Sequence, residues 1–543
     1  MSNCDADPEA AIPPGQSAIP YWRLIIDQAV VTPRIVNHAY EGSGTDKDPY
    51  LVTWIEDDPR DPMRFPVARK WLYTMLVAVV TLAAAFVSSA YSGTVNQMMA
   101  DFDASEELVL GGLALYVLGF AVGPMAWAPL SELYGRQVIL FISFGCFSAF
   151  NAGAAASQNI QSLLILRFFA GASGASPLTN SGGVIADLFP TSQRGLAMGF
   201  FSTAPFLGPS IGPIVGGFLG QSKGWRWVQG LSAIFAGVLW ILTALVLPET
   251  YPTILLRKRA HKLSQMSGKV YRSKSEAFQG AKTAKELFKE SILRPWVLLI
   301  FEPIVLLLSI YMSIIYGTLY MLFAAYPVVY EEQRGWNEGV GSLPFLGIAI
   351  GMVFAVSYNI PDNARFARKE NAPPESRLPG AMVGGVAIPI GLFWFAWTNS
   401  PSIFWLSSVV AGGVFGFGMV LIFIAIKNYL VDAYTIYAAS ALAATVILRS
   451  FFGAAFPLFT TYMFQNLGIH WASSVPAFLA LGCTPLPFCF YHFGASIRKR
   501  CKYAAQAEEY LRRVREQSSK EQQQQTQRYD NPLEGTTNLG EEK

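Results

Sequence analysis

The chain has 543 residues, 52% of them hydrophobic and only 14% charged, with a mean hydropathy of +0.34 and a formal net charge of +3. An average soluble domain carries roughly 25% charged residues, so a chain this long and this poor in charge lacks the polar surface that a set of soluble domains needs. The near-neutral balance offers no global basic field for nucleic acid. Cys4, Cys146, Cys483, Cys489 and Cys501 form no C-x-x-C pair, exclude a regular disulfide or zinc framework, and read as buried thiols.

Residues 1–70 are polar and bear Asp and Pro; they read as a cytosolic tail with little order and no cleavable leader. Six apolar stretches follow at 71–92, 107–127, 137–156, 161–186, 196–219 and 226–247. A polar stretch, 248–295, separates them from six more at 296–326, 339–361, 379–398, 402–426, 434–464 and 472–496. Each is long enough for a helix to cross a hydrocarbon layer ~30 Å thick. The expectation is an all-α membrane protein of twelve transmembrane helices in two pseudo-symmetric six-helix bundles, 71–247 and 296–496, with a central cytosolic loop at 248–295. Residues 497–543 form a second cytosolic tail, charged at first and ending in a disordered run around Gln522–Gln525. The fragment Gly280-Ala281-Lys282-Thr283 lacks the adjacent Gly-Lys of a phosphate-cradling loop, which argues against ATP-driven work by this chain.

With both tails inside, the inward loops and flanks hold 25 basic residues and the outward loops three, Lys223, Arg226 and Arg334. That bias fixes the orientation. A faint internal echo supports two related halves. Ile185-Ala186-Asp187-Leu188 closes the fourth stretch and Leu430-Val431-Asp432-Ala433 the tenth, and each half opens with a basic residue just before Trp71 or Trp296. Repeats of this kind underlie transporters that rock about a midplane site.

Between the second and third stretches lies Ala128-Pro129-Leu130-Ser131-Glu132-Leu133-Tyr134-Gly135-Arg136-Gln137. Gly135 permits a tight bend, and Glu132 and Arg136 can bind each other or a neighbouring helix end. The segment resembles the G-x-x-x-D-R-x-G-R-R loop of the major facilitator superfamily, with Glu132, Gly135 and Arg136 on its acid, second glycine and first arginine. Ala128, Leu133 and Gln137 depart from that pattern. The form P-L-S-E-x-Y-G-R is similar to the version in fungal twelve-span drug:proton antiporters. The resemblance implies a charge network at the cytosolic gate; the alternative is an ordinary structured loop.

The fourth stretch carries Arg167, with Gly171 and Gly174 on the same helical face. An arginine within a span is unfavourable by ~2.5 kcal/mol or more unless it is paired or faces water, whereas glycines let another helix approach. The run resembles the superfamily's R-x-x-x-G-x-x-G motif, which implies a part for Arg167 in proton coupling; the alternative is an arginine snorkelling at the membrane edge. In the fifth stretch Gly199, Gly208, Gly212, Pro213, Gly216 and Gly217 fit G-x8-G-x3-G-P-x2-G-G without mismatch. Such a helix can pack closely and bend. The spacing resembles the antiporter motif, which within the superfamily implies an exporter.

In the seventh stretch Glu302, Ser309, Ser313, Tyr316 and Tyr320 are spaced 7, 4, 3 and 4 apart and fall within a stripe of roughly 60° on a helix. One acid, two hydroxyls and two phenols on one line predict a wall of the translocation path, with Glu302 as the proton-exchanging acid. The alternative places Glu302 among headgroups as a solvated helix-start acid. No Asp or Glu occurs in 71–92, where bacterial drug antiporters of the superfamily often carry one, and this shifts the coupling role to Glu302. Arg449 lies within the long eleventh run and either fixes helix packing or attends substrate and proton; Lys427 and Asp432 read as gate or topology residues at the cytosolic end of the tenth.

The resemblance covers residues 60 to about 500. It implies a proton-coupled exporter of an amphipathic small organic molecule (a drug, toxin or fungal secondary metabolite), working by alternating access in the plasma or vacuolar membrane. The expected partners are that molecule, protons and the lipid bilayer, with no nucleic acid, catalytic residue, metal or cofactor, and the functional unit is a monomer. The rival readings are a proton-coupled importer, a polyamine transporter, for which Glu302 alone supplies too little negative charge, and a non-transporting membrane sensor.

Overall fold

A computed structural model of the protein describes residues 19–279, 284–367 and 373–513. Cys4, the Gly280–Thr283 fragment, Arg368 and Lys369 of the inward loop, and the Gln522–Gln525 run lie outside the described residues. Among the described residues the chain crosses the apolar layer on twelve helical passages. The first six are Val67–Ala90, Glu106–Tyr134, Arg136–Ala155, Ile160–Leu188, the pair Thr191–Phe201 and Ala204–Lys223, and Trp225–Val246. Pro303–Tyr326, Phe345–Ala367, Pro379–Thr398 and Trp405–Tyr434 come next, and a continuous stretch Ala438–Cys483 with its extension Pro485–Arg500 supplies the last two. Gly468, at φ 72° and ψ 164°, divides the eleventh passage from the twelfth. A helix satisfies its backbone groups within itself, which hydrocarbon demands. The outer faces carry exposed apolar side chains such as Ile165, Ile234 and Phe354, as a lipid-facing surface should.

Two passages depart from a straight helix. The fifth is interrupted at Ser202 and Thr203, ahead of Pro205, Pro209 and Pro213, each of which removes a backbone donor. The seventh, expected at 296–326, is two helices, Ala284–Phe301 and Pro303–Tyr326. Glu302 between them is extended, at φ −112° and ψ 98°, because a residue preceding proline is excluded from the helical region. The halves meet along two seams, the second passage on the eleventh and the fifth on the eighth.

Much of the N-terminal tail is ordered, contrary to its polar composition. Strand β1 (Tyr50–Val52) pairs in parallel with β2 (Tyr271–Ser273) of the central loop. Ile35, Tyr40 and Val52 pack on Ala260 and Leu263 of the loop helix Pro252–Ser267. The Asp58 carboxylate and the Arg259 guanidinium form a fully buried ion pair at 2.5 Å beneath them. Tail and loop together form one cap. Of the described cysteines, Cys489 is exposed rather than buried, and all are free thiols.

Candidate functional site

Arg167 is fully buried in the fourth passage and does not snorkel. Its Nη1 and Nη2 donate to the carbonyls of Val87 at 3.1 Å and Ser88 at 3.2 Å, and Nε donates to that of Gly112 at 3.3 Å. The first helix ends at Ala90, so Val87 and Ser88 lie in its last turn, where carbonyls lack intrahelical partners. The guanidinium also lies 4.6 Å and 4.3 Å from the ring centroids of Tyr91 and Tyr116. Arg167 thus holds the first, second and fourth passages together through carbonyls and aromatic faces, with no carboxylate in that set.

The Ser88 hydroxyl carries this cluster across to the other half. Ser88 Oγ bonds the Tyr320 hydroxyl at 2.8 Å, and the Tyr316 hydroxyl donates to that of Tyr320 at 3.3 Å. Beyond Tyr316, the Arg449 guanidinium stands 4.9 Å from its ring centroid and 5.9 Å from that of Phe423. Gly453 lets Tyr316 lie against the eleventh passage, since a Cβ there would meet the ring at 3.0 Å. Lys427 Nζ lies 5.3 Å from the Phe206 ring of the N-terminal half and 5.9 Å from Phe423. Lys427 therefore reaches into the seam between halves, where sequence position had placed it as a gate or topology residue. It lies seven residues inside Tyr434, the end of the tenth passage, a depth of roughly 10 Å.

Four of the five residues of the expected stripe share one helix. Ser309, Ser313, Tyr316 and Tyr320 are all buried on Pro303–Tyr326, with the Ser313 hydroxyl donating to the Ser309 carbonyl at 2.6 Å. Glu302 leaves the stripe because its extended backbone breaks the 100° progression. It is not solvated, and its partners here are not the stripe's Tyr316 and Tyr320: fully buried, it accepts from the Tyr434 hydroxyl at 2.9 Å and the Tyr503 backbone N–H at 2.8 Å. The acid ties the start of the seventh passage to the end of the tenth and to the helix that begins the C-terminal tail.

The glycines of the fifth passage divide by what they face. A Cβ on Gly208, Gly212 or Gly216 would approach the first helix within 2.6, 2.0 and 2.1 Å, at Leu82 O, Ser89 Oγ and Ala90 O. Pro213 is buried between them. Gly217 faces the other half, 2.6 Å from the Glu338 carbonyl, while Gly199 has open space around it. Three glycines make the seam with the first helix, one makes the seam between halves, and one makes neither.

At the end of the bundles that carries the central loop, the two halves repeat one device. Arg136 Nε donates to Asp187 Oδ2 at 2.6 Å, and Arg377 Nε donates to Asp432 Oδ2 at 2.9 Å. The sequence echo around the two aspartates marks these positions. Each pair clamps helices within its own bundle. Gly135, at φ 101°, turns the chain beside Glu249, whose carboxylate would lie 2.1 Å from a Cβ there and accepts from the backbone N–H groups of Arg136 and Gln137 at 3.0 and 3.2 Å. Glu132 stands in the last turn of the second passage. Sequence reasoning missed Glu249; its only signal was a lone acid at the end of the sixth stretch. In the C-terminal half Arg498 pairs with Glu375 at 3.1 Å, so the end of the last passage again meets the start of the ninth, with acid and partner exchanged.

At the end of the bundles opposite the central loop, polar bonds join the halves. Gln97 Nε2 donates to Glu338 Oε2 at 2.9 Å, the Gly339 N–H to Gln221 Oε1 at 3.3 Å, and Thr461 Oγ1 to Glu106 Oε1 at 2.7 Å.

A family model described as Major Facilitator Superfamily matches residues 77–457. An MFS-type efflux pump, MFS2, of Trichophyton rubrum is 58% identical over 516 residues, covering 94% of this chain and 86% of that protein. The multidrug transporter mdrA of Aspergillus fumigatus is 58% identical over 520 residues, 95% of this chain and 86% of that protein. The efflux pump FUB11 of Gibberella moniliformis is 50% identical over 490 residues, 89% and 83% of the two chains. Among solved structures, the proton:xylose symporter XylE superposes with a TM-score of 0.57 at 16% identity, over 79% of this chain and 96% of that one, a likeness of fold alone.

Proposed function

The chain belongs to the major facilitator superfamily, and on that premise we propose that it is an efflux transporter of the plasma membrane that moves an amphipathic small organic molecule outward in exchange for protons, working as a monomer. It is a transporter and not an enzyme: no bond of the cargo changes. The observation that carries the reading is 58% identity along 94% of the chain with a protein named an efflux pump. The glycine seam between the first and fifth passages supports it, because this is the pattern that resembles the antiporter motif.

In the proposed mechanism the two bundles move as rigid bodies about the seams, alternately exposing the interior. The Arg136–Asp187 and Arg377–Asp432 clamps keep each bundle intact while it moves. The outward seal at Gln97–Glu338 and Thr461–Glu106 opens when cargo and proton have shifted the balance between states. Glu302 is the proton-binding acid of this reading, since it is a buried carboxylate within the C-terminal bundle, where protonation would weaken its bonds to Tyr434 and Tyr503. Arg167 acts as a positioning residue, fixing the end of the first helix from which Ser88 meets Tyr320.

The test is uptake of a panel of fluorescent drugs and natural products into inside-out proteoliposomes with an acidic lumen, wild type beside Glu302→Gln. Gradient-dependent uptake, lost in Glu302→Gln while gradient-free exchange persists, is the expected result. Uptake that ignores the gradient would remove proton coupling, and gradient-driven uptake surviving in the variant would remove Glu302 from it.

A further inference from the structure

The middle of the bundles carries cations that no carboxylate is seen to meet among the described residues. No Asp or Glu occurs in 62–100, 108–131, 133–186, 188–248, 303–330, 339–361, 376–431 or 433–507, so the acids of the crossing lengths, Glu106, Glu107, Glu132, Asp187, Asp362 and Asp432, all stand near passage ends, and Glu302 stands just before the start of the seventh. The crossing lengths also contain Arg167, Lys427 and Arg449. Arg167 is satisfied by three carbonyls. Arg449 is not: it is 4% exposed, and its Nε and Nη1 have no hydrogen-bond partner. A buried guanidinium with idle donors is unfavourable, and its planar fork matches a carboxylate. Lys427 flanks the same Phe423 ring, each cation 5.9 Å from its centroid, so one anionic group can lie within reach of both. Phe206, Phe423 and Tyr316 supply aromatic walls beside them.

We propose that the cargo is an organic anion, an aromatic or amphipathic carboxylate, whose charged group is held by Arg449 and Lys427 while its apolar body lies on Phe206, Phe423 and Tyr316. The proposal rests on the export reading and names its substrate class. It also gives the membrane potential a part: an anion leaving a negatively charged cytosol moves downhill, as does the proton that enters.

Equilibrium binding to the purified full-length chain tests the site separately from transport. Anthracene-9-carboxylate, 9-anthracenemethanol and 9-(aminomethyl)anthracene share one body and differ in charge. Their fluorescence anisotropy would be followed in about 0.15 M sodium chloride, an ionic strength that screens surface charge beyond ~8 Å. The carboxylate is expected to bind at least tenfold more tightly than the alcohol, and the amine more weakly than either. Arg449→Gln and Lys427→Gln should each lower carboxylate affinity at least fivefold and leave the alcohol unchanged, and Arg449→Lys should recover part of the loss. Equal binding of carboxylate and alcohol, binding of neither, or a parallel loss of both in Arg449→Gln with no recovery in Arg449→Lys would overturn the proposal. Selective carboxylate binding without gradient-driven uptake would sink the export reading and leave the anion site standing.

Discussion

Ser88 of the first passage and Tyr320 of the seventh share a 2.8 Å hydrogen bond between hydroxyls, both fully buried, and so join the two halves inside the membrane. A neutral bond of this kind contributes about 0.5–1.5 kcal/mol. Ser88→Ala and Tyr320→Phe should each change the rate of gradient-driven uptake by roughly two- to tenfold. The double variant should fall short of the product of the two, since both remove one bond. A strictly multiplicative double variant would show that the hydroxyls act independently.

The glycines of the fifth passage make a contrast available in one helix. A methyl group on Gly212 would meet Ser89 Oγ at 2.0 Å and the Phe86 carbonyl at 2.7 Å, whereas Gly199 has nothing within 4 Å. Overpacking a tight seam costs about 1–3 kcal/mol, and alanine in an open helical site costs nothing. Gly212→Ala is therefore expected to lower the thermal unfolding midpoint in detergent by several degrees and to slow uptake, with Gly199→Ala indistinguishable from wild type. Similar behaviour of the two would mean that the spaced pattern matters for a reason other than packing on the first helix.

The parts of this arrangement that were readable in sequence are those carried by spacing. The G-x3-G-P-x2-G run of Gly208 to Gly216 places small residues on the face that the first helix covers, and the repeated aspartates at 187 and 432 mark equivalent clamps. Glu302 was misplaced because helical spacing was extended through a residue that Pro303 holds out of the helix. Lys427 was assigned by its distance from the span end, yet its long side chain reaches Phe206 across the seam, a tertiary matter that one chain's periodicity cannot carry. The cap of tail and loop was missed for a similar reason: Tyr50–Val52 pairs with Tyr271–Ser273, more than 200 residues on.

The two clamps differ in exposure, and this sets an order of effect. Arg136 and Asp187 are 15% and 11% exposed, against 21% and 31% for Arg377 and Asp432. A hydrogen-bonded pair largely withdrawn from water is worth about 1.5–3 kcal/mol, and one nearer the surface less than ~1 kcal/mol. Asp187→Asn should therefore destabilise the protein more than Asp432→Asn, read as separate shifts in thermal unfolding. The reverse order would show that the Thr250 and Tyr251 contacts around Arg136 and Asp187 absorb the loss.

The cap formed by tail and loop is built over one charge pair. Asp58 and Arg259 have side chains 0% and 2% exposed, and Arg259 also lies 5.0 Å from the Trp54 ring centroid. Removing one partner leaves the other charge buried and unpaired, a loss of about 3–5 kcal/mol. Asp58→Asn is expected to release residues 21–66 and 252–273 together, seen as faster amide hydrogen exchange in both segments and little change in the membrane helices. Exchange that rises in one segment alone would show that the two do not fold as a unit.

The outward seal gives the most direct handle on the conformational balance. Glu338 accepts from Gln97 and Glu106 accepts from Thr461, each bond crossing from one half to the other. Both acids are half-exposed, so each bond is worth about 1 kcal/mol, and removing it shifts the two-state ratio roughly fivefold toward the outward-open form. Ser342, 5% exposed and packed near Gly217 in the same seam, is a suitable reporter. A cysteine placed there in a cysteine-free background should label slowly with an impermeant maleimide applied from outside. Adding Glu338→Ala should raise that rate about fivefold. The further change Glu106→Ala should multiply it again, because Gln97–Glu338 and Glu106–Thr461 are separate bonds on opposite seams. Labelling that stays slow in the double variant would assign the closure to the glycine packing of the fifth passage instead of to these polar bonds.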